Sequence, residues 1–202
     1  MSPEDHQDLA SFGAATLFEA DRRVRAMRPD IAPLFRPISL CGPAYTVLAA
    51  PGDNLAVHLA LAEAPAGSVL VVATGAELRK GFWGEVMTEA ALARGIRGLV
   101  TDGAVRDTRA IRDLDFPVFC AGVAIPGTEK NVCGSRNMEI QIGGVEVGPG
   151  DLIVADDDGV IVVPKASVSD LRLAAASRAQ KEAGFITSLR QGALTVDLLK
   201  VR

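Results

Sequence analysis

The sequence predicts a single α/β domain, residues 1–202, with a β-rich core and helices outside it. Three features carry that reading. Short apolar runs alternate with helical segments through the middle of the chain, short strands alternate with Gly- and Asp-containing turns after Pro126, and a long helical segment closes the chain. At 202 residues the chain is long enough for one well-buried domain and too short for two full-sized ones. Hydrophobic residues make up 49% but aromatic residues only 4%, so the core is assembled from many small contacts rather than a few large rings.

Taken in order, the chain to about residue 35 reads as two helical segments, with Leu17, Ala20, Val24 and Met27 near helical spacing. A strand around Tyr45–Ala49 leads into the turn Pro51-Gly52-Asp53-Asn54. Asp53 and Asn54 are good caps for a helix over Leu55–Ala64, whose stripe is Leu55, Leu59 and Ala62. Ser68–Ala73 is a continuous apolar run suited to a strand buried on both faces. Helix Glu85–Arg94 stops at Gly95, which suits a left-handed cap. Gly98–Thr101 is another buried strand, turned by Asp102-Gly103, and Asp107 or Thr108 caps a short helix reaching Leu114. Val118–Ala121 is a further strand. Glu139–Ile142, Val145–Val147, Leu152–Val154 and Val160–Val163 follow as a meander of hairpins. The closing helix runs from about Ser167 to Glu182, with a shorter one before Gly192.

Composition excludes several classes. The formal charge is −4 and there is no run of Lys or Arg, which argues against nucleic acid as a partner. No apolar stretch approaches the ~20 residues of a membrane span. Cys41, Cys120 and Cys133 lie far apart and form no CxxC pair, and the amino terminus is acidic and polar; together these predict a cytoplasmic protein with reduced thiols. Neither GxGxxG nor GxxxxGK[ST] is present. With only His6 and His58, no His/Cys zinc constellation forms by spacing, and no GxSxG elbow accompanies a serine triad.

The chemistry-bearing stretch is Thr101-Asp102-Gly103-Ala104-Val105-Arg106-Asp107, just past a buried strand, where α/β sheets place their ligand crevice. The Arg106 guanidinium can grip a carboxylate or a developing oxyanion, and the Asp107 carboxylate is a hard oxygen ligand for Mg²⁺ or Mn²⁺. Together they suit a small 2-oxo acid. Taken alone, the pair reads more readily as a surface ion pair or as a helix cap. A second feature shifts the balance. Gly84 and Glu85 open a helix whose Val86 and Met87 N–H groups lack intrahelical partners, a ready site for a substrate carboxylate. Glu85 either positions a water or merely complements the helix dipole.

These motifs resemble a known family. GFWGE and GIRGLVTDGAVRD, with CGPAYTV, PGDNLAVH, PGTEK and PGDLIVADDDGVIVVP in the same order, are similar to the family of 4-hydroxy-4-methyl-2-oxoglutarate / 4-carboxy-4-hydroxy-2-oxoadipate aldolases (class II pyruvate aldolases) and RraA-type regulators of ribonuclease E activity. The resemblance implies a β/β/α swivelling-type (RraA-like) fold assembled as homotrimers or homohexamers, with sites at subunit boundaries. It implies a lyase that releases pyruvate through an enolate, with oxaloacetate decarboxylation as a side activity. By position, it makes Asp107 the metal-binding aspartate and Arg106 the pyruvate-binding arginine. Val86 and Met87 become the amides that receive the carboxylate, Glu85 an acid beside metal-bound water, and Asn54 a polar residue of the pocket. The family motif usually continues Arg-Asp-x-x-Glu/Asp, whereas Ala110 stands here in place of the second acid.

Lesser candidates have plain alternatives. His58, four residues after Asn54, is either a packed histidine or a site residue. Lys130 either meets an anionic substrate tail or is solvated. Glu182 either reaches a neighbouring subunit's site or lies on a solvated helix face. Asp156-Asp157-Asp158-Gly159 lacks the glutamate of a calcium loop and reads as a hairpin turn. The competing functions are a non-enzymatic ribonuclease regulator, a phosphohistidine-type carrier dependent on His58, and a methyltransferase for which no nucleoside-binding loop is present.

Overall fold

In the computed structural model, which describes residues 9–201, the elements in chain order are as follows. The first half holds α1 (Ala14–Ala20), β1 (Arg25–Ala26), β2 (Ala32–Pro33), β3 (Leu40–Leu48), α2 (Leu55–Glu63), β4 (Val69–Ala73), β5 (Gly81–Trp83), α3 (Glu85–Ala93) and β6 (Gly98–Val105). The second holds α4 (Thr108–Asp113), β7 (Val118–Val123), β8 (Ser135–Arg136), β9 (Ile140–Ile142), β10 (Val145–Val147), β11 (Leu152–Asp156), β12 (Gly159–Val163), α5 (Val168–Arg190) and α6 (Thr195–Leu198). The acidic amino-terminal residues that include His6 lie outside the described residues.

Ten strands form one mixed sheet in the order β1-β12-β11-β3-β4-β6-β7-β2, with β5 added to β6 and β8 to β3. The β3, β4, β6 and β7 ladders are parallel, while the β11–β12 hairpin joins β3 antiparallel. The sheet curls so that β2, at one end of this order, meets β12 near the other.

Burial on both sheet faces explains the apolar runs. In β4, Leu70 and Val72 pack with Val57, Ala60, Leu61 and Met87 under the helices. Val69 and Val71 point the other way, into the curl, against Phe119, Ile153 and Val162. Side chains alternate across a strand, so a strand covered on both sides has no polar positions to offer. A third cluster, with Leu17, Val24, Cys41, Leu171 and Ala175, lies under α1 and α5. Burial pushes the Cys41 thiol up to about 11, against the lowering effect of the nearby Arg97 charge, so it stays protonated at neutral pH.

The expected core with outer helices is present, but several local expectations are corrected. Only α1 is helical between residues 14 and 33; the second predicted segment is extended, with β1 pairing to β12. Asp21 ends the helix by accepting the Arg23 N–H and guanidinium, and Val24 and Met27 reach the core from extended chain instead. The buried face of α2 is Ala56, Val57, Ala60 and Leu61, not Leu55, Leu59 and Ala62, because the small alanines let the helix approach the sheet. Strand β6 continues through Asp102-Gly103, with a shift of register against β7 between Thr101 and Ala104, rather than turning there. The Asp102 carboxylate is taken by Thr74 N and Oγ1 and by Ala76 N, across from its own strand.

The predicted meander is two separate hairpins. β9 and β10 form their own small sheet, and the Asp157-Asp158 turn joins β11 to β12 as expected. The closing helix is continuous to Arg190, passing Gly184 without a break.

Phe119 is fully buried inside the curl, packed in the cluster of Val69, Val71, Ile153 and Val162. Phe119→Ala is expected to lower stability by about 3–5 kcal/mol. The effect will be read as a lower urea midpoint at unchanged slope.

Candidate active site

Strand β5 is the device that assembles the site. It pairs in parallel with the end of β6, Gly81 opposite Ala104 and Trp83 opposite Val105, and the Arg106 N–H closes onto Trp83 O at 2.9 Å. This ladder sets Gly84-Glu85 beside Arg106-Asp107, although 22 residues separate Glu85 from Asp107. Trp83 anchors the junction: its ring stacks on Phe116 and its indole N–H donates to Thr88 Oγ1 at 2.8 Å. Thr88 in turn donates to Gly84 O, so the start of α3 is tied to the core through two side chains.

Asp107 occupies the N-cap position of α4 but makes no side-chain bond to that helix. Its backbone is left-handed (φ 55°, ψ 38°), a region aspartate tolerates better than most residues. That conformation turns the carboxylate away from α4 toward α3, where Oδ2 accepts the Glu85 N–H at 3.1 Å. Asp107 is therefore a cap, but for the other helix. Gly84 makes the approach possible, since a Cβ there would overlap Asp107 Oδ2 outright. Arg106 Nε lies 3.6 Å from the same oxygen, with both side chains about half exposed, a geometry that contributes little to stability.

These residues line a cavity of about 370 Å³. Asn54, Gly84, Val86, Met87, Arg106 and Asp107 all reach it, together with His58 and Lys130. Glu85 does not: its side chain is exposed on the first turn of α3, and its backbone N–H is what holds Asp107. The next N–H groups, Val86 and Met87, take no protein acceptor among the described residues and remain available to an anion. Asn54 also departs from its role as a cap. Its side chain makes no cap bond and instead donates to Phe82 O at 2.9 Å.

The far wall is fixed by Asp53. Its Oδ1 accepts the Leu55 N–H, as the cap reading expected, while Oδ2 accepts the Asn131 and Val132 N–H groups at 2.5 and 3.2 Å. Burial alone would raise the pKa of this carboxyl, but the backbone donors outweigh it and hold the value below the usual range. The 127–132 loop is thereby pinned over α2, carrying Gly127, Thr128 and Lys130 to the cavity. Thr128 and Gly127 were not singled out in the sequence; the PGTEK motif that contains them was the available signal. Glu182 lies elsewhere, bound to Arg178 at 2.8 Å and to Thr16 of its own chain.

The residues present can be tested for a metal. No group of three His, Cys, Asp or Glu side chains among the described residues is placed to hold an ion, so a tetrahedral zinc-type centre does not fit. Mg²⁺ and Mn²⁺ are different, because one or two carboxylates with waters and substrate oxygens satisfy Mg²⁺ and carboxylate and water also suit Mn²⁺. Asp107 at the cavity wall fits that requirement.

The profile of RraA-like proteins (Aldolase/RraA) matches residues 14–162. A Halalkalibacterium halodurans protein provisionally named 4-hydroxy-4-methyl-2-oxoglutarate aldolase is 40% identical over 173 residues, 85% of this chain and 80% of that protein. A crystal structure of a Pseudomonas syringae protein of unassigned function superposes with a TM-score of 0.89 at 26% identity, covering 100% of this chain and 95% of the other. A Streptomyces coelicolor structure, an unusual member of the RNase ES inhibitor RraA family, gives a TM-score of 0.81 at 28% identity, covering 91% and 96%. The chain belongs to the RraA-like (Aldolase/RraA) family and has its fold.

His58 is half-buried, and burial first, then the nearby Lys130 charge, lowers its pKa from the ordinary 6.5. The folded state thus disfavours the imidazolium. The stability carried by neutral His58 is complete above about pH 6.5 and is lost as pH falls through the lower folded value. Urea midpoints measured between about pH 5 and 7 are expected to fall on acidification more steeply in the wild type than in His58→Gln.

Proposed function

We propose that this protein is a lyase that cleaves 4-hydroxy-2-oxo acids to pyruvate through an enolate, and that it decarboxylates oxaloacetate through the same intermediate. The observation that carries the reading is the convergence of Arg106, Asp107 and the first turn of α3 on one cavity. The aldolase name of the Halalkalibacterium relative supports it.

In this reading the substrate carboxylate is received by the Val86 and Met87 N–H groups at the positive end of α3. Arg106 faces the 2-oxo group. As the C3–C4 bond breaks, the C4 hydroxyl loses its proton and becomes a carbonyl, and the electron pair moves onto the 2-oxo oxygen. The guanidinium stabilises that charge. Protonation at C3 completes pyruvate. A water takes the hydroxyl proton; Glu85 has its side chain outside the cavity and serves the site through its N–H to Asp107. Mg²⁺ or Mn²⁺ bound through Asp107 would supply Lewis-acid stabilisation of the enolate. Oxaloacetate reaches the same enolate by losing CO₂.

A homo-oligomer, trimer or hexamer, belongs to the same proposal. Val86, Val123 and Ile125 are 81%, 60% and 86% exposed around Arg106-Asp107, an apolar rim suited to burial by a second copy at the site. The competing reading is a non-enzymatic ribonuclease regulator, supported by the likeness to the Streptomyces protein. Such a binder needs neither Arg106 nor Asp107.

Coupled pyruvate release with Mg²⁺, on a panel of 4-hydroxy-2-oxo acids and oxaloacetate, separates the two. Asp107→Ala is expected to abolish metal-dependent turnover, and Arg106→Ala to keep metal binding while losing about 10²–10³ in rate. Substantial turnover by Asp107→Ala, or in excess EDTA, would sink the mechanism. Ile125→Glu, which places a charge on the apolar rim, is expected to reduce the mass seen by light scattering. An unchanged mass would remove this rim from the interface.

A further inference from the structure

The polarity of the cavity is uneven. Arg106, Lys130 and the N–H groups of α3 present donors, and Asp107 is the acceptor beside them. A ligand matched to such walls is an anion rich in acceptors. Asn54 adds a different demand. Its side chain is only 5% exposed, and Oδ1 is buried with no hydrogen-bond partner among the described residues.

The amide cannot resolve this by exchanging its ends. Nδ2 donates to Phe82 O at 2.9 Å and reaches Met87 Sδ at 3.5 Å, and a reversed amide would set two acceptors against each other. Phe82 and Met87 close the core side, which leaves the cavity that Asn54 lines as the direction from which a ligand's donor can come. Oδ1 is covered, and a turn about the broad terminal torsion, at some loss to the Nδ2–Phe82 O bond, presents it to a group seated there.

We propose that Asn54 is a specificity-determining residue that selects ligands bearing a hydroxyl, its Oδ1 accepting the hydrogen bond of a hydroxy acid whose carboxylate lies at Arg106 and the start of α3. The inference rests on the reading above for the position of the acid end and adds the contact that reads the rest of the molecule. A ligand without the hydroxyl leaves a buried acceptor unmatched, and sites with unmade hydrogen bonds discriminate more sharply than apolar pockets do.

The test uses two monocarboxylic acids that differ only at this group, 2,4-dihydroxybutyrate and 2-hydroxybutyrate, neither of which can bind reversed. Neither has the 2-oxo carbon needed for cleavage, so calorimetric titration of the full chain with Mg²⁺ reads binding alone. The wild type is expected to bind the dihydroxy acid at least about tenfold more tightly, the worth of one well-made hydrogen bond. Asn54→Leu should bring the ratio near one, and Asn54→Ser, which keeps a hydroxyl acceptor, should retain part of it. The wild-type comparison stands even if a variant does not fold.

Equal affinities, as a water serving Oδ1 would give, or no binding of either acid, overturn the inference. Pyruvate release is scored separately on 4-hydroxy-2-oxo acids. Hydroxyl preference without pyruvate release would remove the enolate mechanism and leave the role of Asn54. Release without preference would do the reverse.

Discussion

The site depends on one hydrogen bond between distant parts of the chain, from Glu85 N–H to Asp107 Oδ2. It couples the first turn of α3 to the end of β6, and each side is bent to allow it. Asp107 adopts a left-handed backbone, and residue 84 has no Cβ. A helix start carries orphan N–H groups and partial positive charge, so a carboxylate placed there satisfies one donor and leaves the next two for a ligand. The same contact holds Asp107 in the cavity wall beside Arg106 rather than letting it fold back onto α4.

That contact is held by the sheet. Parallel strands β4 and β6 are covered on both faces, and the helical layer packs through Trp83, Phe116 and the small residues of α2. Because β5 is only three residues long and adds to the end of β6, off the main strand order, it positions α3 at that end of the sheet. A close-packed interior transmits such placement faithfully. The site needs that rigidity, since the first turn of α3 and Arg106 come from different segments. The 127–132 loop has no strand of its own and depends on the Asp53 carboxylate for its position.

Under the proposed lyase reading, chemistry and recognition fall on separate parts of the cavity. Arg106, Asp107 and α3 form an end built for an anion, where backbone dipoles and a guanidinium need no rearrangement. His58, Asn54, Thr128 and Lys130 come from α2, its N-cap and the loop held by Asp53, and they line the rest of the cavity. Ala110 lies outside this cavity, on the neighbouring open face with Val123 and Ile125. The missing family acid therefore changes that face rather than the wall around Asn54.

Local patterns in the sequence were enough for the strands of the core, the start of α3 at Gly84-Glu85, its stop at Gly95, and the Asp-rich hairpin turn. Each of these depends on neighbours within a few residues: apolar alternation, an orphan helix turn, a left-handed glycine. Arg106-Asp107 was legible as a candidate for the same reason, being charged residues at the end of a buried strand. Only the tertiary structure decided which partners the polar groups take. Asp102 was read as a turn and is held by Thr74 and Ala76; Asp107 was read as a cap for α4 and caps α3; Asn54 was read as a cap and is bound to Phe82 O. A hydrogen bond to a distant N–H contributes about as much as one to a near one, on the order of 1 kcal/mol. Local preference therefore cannot choose between them, and the choice falls to the packing of β5 against β6, which a linear sequence does not display.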